Sequence, residues 1–299
     1  MLKLAIRRLL LLLLQMLILS FFVFFLMSSN TSFQDLTSSY WNWLVEVVTN
    51  GNFGWSWLFR MPTMAVISLR LSNTLRLLLV TLLLMYGIGI PLGIISGRSS
   101  GSWKDRTIQM GTQIGASFPS FTLAYILILY FALQLRWFPF RGSIPLGVVR
   151  EGGLIPYYMA RLHHVILPAF SLAIFQLIFP MKYLRNSIID IEKQQFVTLA
   201  RAKGVKRKHV FKKHIFKNSL SSLIASFPTQ LMAIISGSII IEGIFTFPGI
   251  GGLFFIAFFE GDSNVVKALV LVLALIIIMA TFMSDILLMA LDPRVKIES

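Results

Sequence analysis

The 299-residue chain contains no cysteine, which excludes a disulfide framework, a thiolate metal site and a cysteine nucleophile. Charge is scarce and one-sided: only 13% of residues are charged, and 12 Asp+Glu stand against 27 Lys+Arg, a net of +15. Catalytic signatures are missing too, with no G-x-x-x-x-G-K-[ST] phosphate loop, no H-E-x-x-H and no G-x-S-x-G. Without a phosphate loop the chain does not hydrolyse ATP by itself, so uphill transport would draw on a partner or an ion gradient. What abounds is apolar. A hydrophobic fraction of 56% and a mean hydropathy of +0.79 exceed what a water-soluble globule carries, and the chain reads as a membrane protein.

A spanning helix needs about 20 mostly apolar residues. Six such stretches occur, at about 9–28, 75–97, 108–133, 163–181, 219–241 and 266–290, within a single transmembrane domain covering 1–299. The first follows Lys3, Arg7 and Arg8 in the manner of a signal peptide. Its apolar run exceeds an h-region and no A-x-A site follows, so it reads as an uncleaved span. Residues 148–161, broken by Gly152, Gly153 and Pro156, are expected not to span. Nineteen of the Lys+Arg fall at 1–8, 98–106, 182–217 and 291–299, against six at 29–74, 134–162 and 242–265. Arg76 and Lys267 sit at the outer mouths of the second and sixth spans. The positive-inside rule then places both termini in the cytoplasm. Topology accounts for most of the +15, and a nucleic-acid role loses its support.

Between the spans, Tyr40, Trp41, Trp43, Phe53, Trp55, Trp57 and Phe59 gather around a Gly51–Gly54 turn. Amphipathic rings favour the headgroup layer, so this outer segment is expected along the outer leaflet. Gly89, Gly93 and Gly97 recur at steps of four, as do Gly111 and Gly115, and each set is expected to let a neighbouring backbone approach closely. Pro91 should kink the second span, which suits a helix facing a pathway. His163 and His164 are adjacent and point about 100° apart on a helix, so they do not chelate one metal together. No metal site is expected. Glu242 and Asp285 are the carboxylates most embedded in apolar sequence and hence functional candidates, although both lie close enough to a boundary to be solvated.

The largest inner loop, 182–217, carries eleven Lys+Arg against Asp190 and Glu192. Within it, residues 195–204 predict a short helix, with Phe196, Leu199 and Ala200 sharing an apolar face and Gly204 at the left-handed C′ position. Arg201, Ala202 and Lys203 complete its last turn. A second basic helix from about Lys206 runs into the fifth span. Such a Gly-stopped helix on a loop fits a docking knob for a cytosolic protein or an interfacial helix on anionic lipid. The pattern alone favours neither.

The run from Phe196 to Gly204, followed by Lys213-His214-Ile215-Phe216-Lys217-Asn218-Ser219-Leu220, resembles the "EAA" coupling loop of ABC-importer permeases in the dipeptide, oligopeptide and nickel permease family. Other landmarks agree in order: Asn73-Thr74-Leu75, Trp137-Phe138-Pro139, Ile166-Leu167-Pro168-Ala169, Glu242 through Gly251, and Asp292-Pro293-Arg294. The segment from Ser28 to Ser39 is shorter than the family's usual outer segment and lacks its Pro-Gly-Asp turn. The resemblance implies an all-α polytopic membrane protein with six transmembrane helices, cytoplasmic termini and a type I ABC-importer permease fold. It implies a non-enzymatic subunit of a bacterial cell membrane importer, with short peptides as cargo and nickel or a metallophore as the same-family alternative. The implied partners are a second homologous permease, two cytosolic ATPases and an extracellular substrate-binding lipoprotein. ATP and Mg would be bound by the ATPases, and no cofactor by this chain. An ion-coupled secondary transporter would need an inverted repeat or paired midplane carboxylates, and neither is visible.

Overall fold

The computed structural model describes residues 2–28, 33–145 and 153–291. Gly152 and the Asp292-Pro293-Arg294 landmark lie outside the described residues. In chain order the elements are α1 (Leu2–Leu26), α2 (Phe33–Asn50), an antiparallel hairpin of β1 (Trp55–Ser56) and β2 (Met61–Pro62), α3 (Thr63–Arg98), α4 (Trp103–Ser117) and α5 (Ser120–Leu127). A π-helical turn, Ile128–Gln134, continues α5. Then come α6 (Leu154–Gln176), α7 (Ile178–Glu192), α8 (Gln195–Ala202), α9 (Arg207–Val210), α10 (Lys217–Ile244), α11 (Ile250–Glu260) and α12 (Ser263–Leu291).

Among the described residues four helical rods are long and apolar enough to cross a membrane: Thr63–Arg98, Leu154–Glu192, Arg207–Ile244 and Ser263–Met289. The apolar stretches Leu10–Leu26, Phe121–Gln134 and Ile250–Glu260 are shorter. The expected third span, 108–133, is therefore not one helix. It breaks at Phe118, whose φ of −89° and ψ of 138° are extended, because the ring of Pro119 disfavours a helical residue before it. Residues 154–161, part of the segment expected not to span, are the start of α6 and so belong to the long Leu154–Glu192 rod. Pro156 falls in the first turn, where its missing N–H removes no intrahelical bond, and Gly153 takes φ 119° at the N-cap.

Three apolar clusters hold the rods together. The central one joins α3, α6 and α10 through Leu77, Met85, Leu172 and Ile234. A second joins α3, α11 and α12 through Ile67, Leu253 and Leu269. A third lies beneath α8. In the aromatic outer segment, Tyr40 and Trp43 of α2 meet Phe21 and Phe24 of α1 at ring separations of 5.2 and 5.4 Å, while Trp41, Trp55 and Trp57 stay exposed. The Lys267 ammonium of α12 lies 4.7 Å over Phe24 and 5.7 Å over Trp43, an arrangement that offsets the loss of water around a cation. Buried Asp262 accepts from Ser56 Oγ at 2.6 Å and Val265 N at 3.3 Å, and so ties the hairpin to the start of α12.

Candidate functional site

Residues 195–202 form α8, and its end is built as glycine allows. Gly204 has φ +78°, its N–H donates to Arg201 O at 3.0 Å, and Val205 N–H donates to Ala200 O at 3.3 Å. These two bonds are a Schellman motif, which satisfies the last carbonyls and reverses the chain. A Cβ at Gly204 would meet no atom within 4 Å, so backbone conformation alone demands glycine there.

The faces of α8 differ from the expected ones. Val197 is fully buried and Ala200 is partly buried, packed with Leu184 and Ile188 of α7 and Val210 of α9. Phe196 and Leu199, expected on the same face as Ala200, are 38% and 57% exposed. Ala202 and Lys203 are also exposed. The helix is thus glued to α7 by Val197 and Ala200 and presents Phe196, Leu199 and Lys203 outward. Val197 escaped sequence reading because the inward face of an eight-residue helix is chosen by its neighbours. Arg201 pairs with Glu192 at the end of α7, an exposed contact that contributes about 0.2–1 kcal/mol. Beside it, Arg98, Glu192, Arg201, Arg207, Phe211 and Ile215 line a cavity of about 380 Å³.

The support of α8 runs back through α7 into α3. A Cβ added at Gly89 would lie 3.0 Å from Pro180 Cγ, at Gly93 2.9 Å from Met181 O, and at Gly97 3.0 Å from Ile188 Cβ. Only glycine lets the backbones of α3 and α7 come this close. Pro91, between these glycines, is exposed and turned away from α7. Gly111 and Gly115 correct the expectation of a second close approach: nothing lies within 4 Å of a Cβ built at either, and they line an open cavity of about 270 Å³ with Leu92, Ile174 and Ile178. Among the described residues no helix is seated on that stripe of α4.

A partly buried ion pair fixes the turn between α3 and α4 to α7. Arg185 Nε and Nη2 donate to Asp105 Oδ1 and Oδ2 at 2.8 and 2.7 Å, while Ser96 Oγ and Gly101 N also donate to the carboxylate. Hydrogen bonds from Arg185 first, then Ser96 and Gly101, outweigh burial and hold the Asp105 carboxyl well below the usual carboxylate range.

At the opposite end of α3 the landmarks that are far apart in sequence meet. Glu242, at 1% exposure, accepts from Thr74 Oγ1 at 2.6 Å and from Gly251 N at 2.7 Å. Ile250 N donates to Thr74 Oγ1 at 2.9 Å, and Asn73 Nδ2 donates to Pro248 O at 2.8 Å. Glu242 is therefore not solvated as its position near a boundary suggested; it receives the free N–H groups at the start of α11. Any side chain at Gly249 would overlap the carboxylate, its Cβ falling 2.2 Å from Glu242 Cδ. Asp285 lies partly exposed near the far end of α12. His163 and His164 do not converge: their ring nitrogens contact Trp137 O at 2.7 Å and Ala160 O at 2.9 Å. Among the described residues no group of three or more His, Cys, Asp or Glu is placed to hold a metal.

The fold resembles the inward-facing MetNI methionine ABC transporter, with a TM-score of 0.59 at 16% identity, covering 77% of this chain and 97% of that one. In sequence, the chain is 35% identical over 258 residues to the oligopeptide transport system permease protein AppB of Bacillus subtilis (strain 168), covering 86% of this chain and 79% of that protein. It is 31% identical over 245 residues to a putative peptide transport system permease protein of Brucella abortus (strain 2308), covering 82% of this chain and 76% of that protein. Residues 89–297, which include α8, Glu242 and the start of α11, match the model of the binding-protein-dependent transport system inner membrane component. The chain belongs to that family, as a multi-pass membrane permease subunit of an ABC transporter.

Proposed function

We propose that this chain is a permease subunit of an ATP-driven bacterial importer of short peptides, and that α8 is its contact with cytosolic ATPases. The observation that carries the reading is α8 itself: a Schellman-ended helix, anchored inward by Val197 and Ala200, with Phe196 and Leu199 left exposed. The peptide-permease names of the relatives support the cargo. With α1 and the α4–α5 pair counted as passes, six spans place both termini in the cytoplasm. A second permease completes the pathway, a substrate-binding lipoprotein delivers cargo outside, and ATP and Mg bind the ATPases. Closure of the ATPases on ATP moves α8, and α7 carries that movement to α3 through the Gly89, Gly93 and Gly97 contacts. ATP shifts the population between inward- and outward-facing states by binding one state better.

Ala200 is unsuitable for testing this, because a charge there would disrupt contacts with α7. Leu199→Asp changes an exposed side chain instead. Tagged permease carrying it is expected to reach the membrane and keep the second permease and the lipoprotein, yet to lose the ATPases on purification and to lose ATP-dependent uptake. Full ATPase co-purification with normal uptake would overturn the role of α8. Loss of binding to anionic vesicles with the ATPases still attached would assign α8 to lipid.

A further inference from the structure

Two arginines at the proposed outer end of the pathway share one amide oxygen. Arg76 Nη2 of α3 and Arg161 Nη2 of α6 both donate to Asn73 Oδ1, at 2.9 and 2.8 Å. The amide orientation is fixed, since Asn73 Nδ2 donates to Pro248 O. Arg76 also reaches Ser72 Oγ at 3.1 Å, and Arg161 reaches Tyr157 OH at 2.7 Å. Every acceptor in this set is neutral. Among the described residues neither Arg76 nor Arg161 forms an ion pair with a carboxylate, unlike Arg185 with Asp105 and Arg201 with Glu192. Among the described residues Arg76 Nη1 and Arg161 Nε are buried without an acceptor, while each side chain as a whole stays partly exposed.

Two adjacent cations repel, and partly buried guanidinium N–H groups without acceptors are costly. One amide oxygen underprovides for them. A carboxylate supplies two charged oxygens and accepts in the bidentate geometry that guanidinium favours. The pair is joined through Asn73 and Thr74 to the Glu242 junction, so it is mounted where α3, α6 and the start of α11 meet. We propose that Arg76 and Arg161 form a binding station for a carboxylate of the cargo, the C-terminal carboxylate of a peptide being the group every unmodified cargo carries. The proposal rests on the peptide-import reading above.

The test uses the complete transporter in proteoliposomes, with the same binding protein throughout so that its own preference cancels between variants. Uptake of a tripeptide is compared with that of its C-terminal amide. Arg76→Gln and Arg161→Gln are each expected to lower the acid-to-amide uptake ratio about tenfold, the scale of one charge-assisted hydrogen bond, and Arg161→Lys is expected to retain most of it. Glu151→Gln, altering a carboxylate outside the described residues, is expected to leave the ratio unchanged. An unchanged ratio in both Arg→Gln variants would overturn the station while leaving peptide import intact. Equal loss of both substrates, as when the arginines instead hold an acid of the second permease, would also overturn it, as would a Glu151→Gln shift matching that of Arg161→Gln. Absence of any peptide uptake by the unaltered transporter, with ATP still hydrolysed, would overturn the peptide reading itself.

Discussion

Asp105 accepts from Arg185, Ser96 and the Gly101 amide at once, and its protonation state is correspondingly bound to the fold. Its folded pKa is depressed, so its contribution is fully present above the unfolded value of about 3.9 and is lost as pH falls toward the folded one. Asp105→Asn is expected to unfold at lower temperature at pH 7 by the equivalent of about 1–3 kcal/mol, since Arg185 loses its charged acceptor. Below about pH 4 the difference from the unaltered protein should narrow by about 1.4 kcal/mol per pH unit. Thermal unfolding of the detergent-solubilised pair from pH 7 to pH 3 measures this, and a gap independent of pH would exclude the ion pair as its source. At this scale the sequence was legible where conformation is local. Gly204 was readable because a helix-ending glycine has one conformational reason to be there. Glu242 was not, because its acceptor role depends on the chain reversing at Pro248-Gly249 and bringing Gly251 back to it. The glycines of that run were the available signal.

Among elements, the two glycine stripes look alike in sequence and differ in use. In the isolated chain, Gly93→Ala is expected to destabilise by about 1–3 kcal/mol, because its Cβ meets the Met181 carbonyl at 2.9 Å. Gly111→Ala, whose Cβ meets nothing, should be neutral or stabilise by up to about 1 kcal/mol through helix propensity. Equal losses from the two would mean that α4 is packed in the isolated chain. Element existence was largely readable from long apolar runs, and element breaks were not. Phe118-Pro119 split the expected third span by a rule visible in the dipeptide, but apolar residues on both sides masked it. Pro156 misled in the opposite sense, since a proline in the first turn removes no intrahelical hydrogen bond, whereas an interior one does. The faces of α8 were set by α7, beyond the reach of an eight-residue pattern.

For the whole molecule, orientation is the quantity that charge counting offers and that labelling measures. The absence of cysteine makes single-cysteine variants clean reporters. Cysteines at Ser39, Arg141 and Glu260, all exposed, are expected to react with an impermeant maleimide in intact cells. Those at Lys104 and Lys208, also exposed, should react only after permeabilisation. Reaction at Lys208 in intact cells would invert the topology and remove α8 from the ATPases. The family and its helical permease fold were legible because they rest on ordered landmarks, whereas the contact between Asn73-Thr74 and the Glu242 segment rests on tertiary structure that no single stretch encodes.

The rod formed by α6 and α7, Leu154–Glu192, has 39 residues and is longer than a bilayer requires. Counted from Arg161 at the proposed outer boundary, it runs about 46 Å to Glu192 at 1.5 Å per residue. A hydrocarbon core of about 30 Å leaves roughly 16 Å over, more than one headgroup layer. In the proposed topology the rod would then act as a stand-off, holding α8 beyond the lipid surface. An ATPase meeting α8 at that height, as proposed, would need no anchor or lipid-binding face of its own.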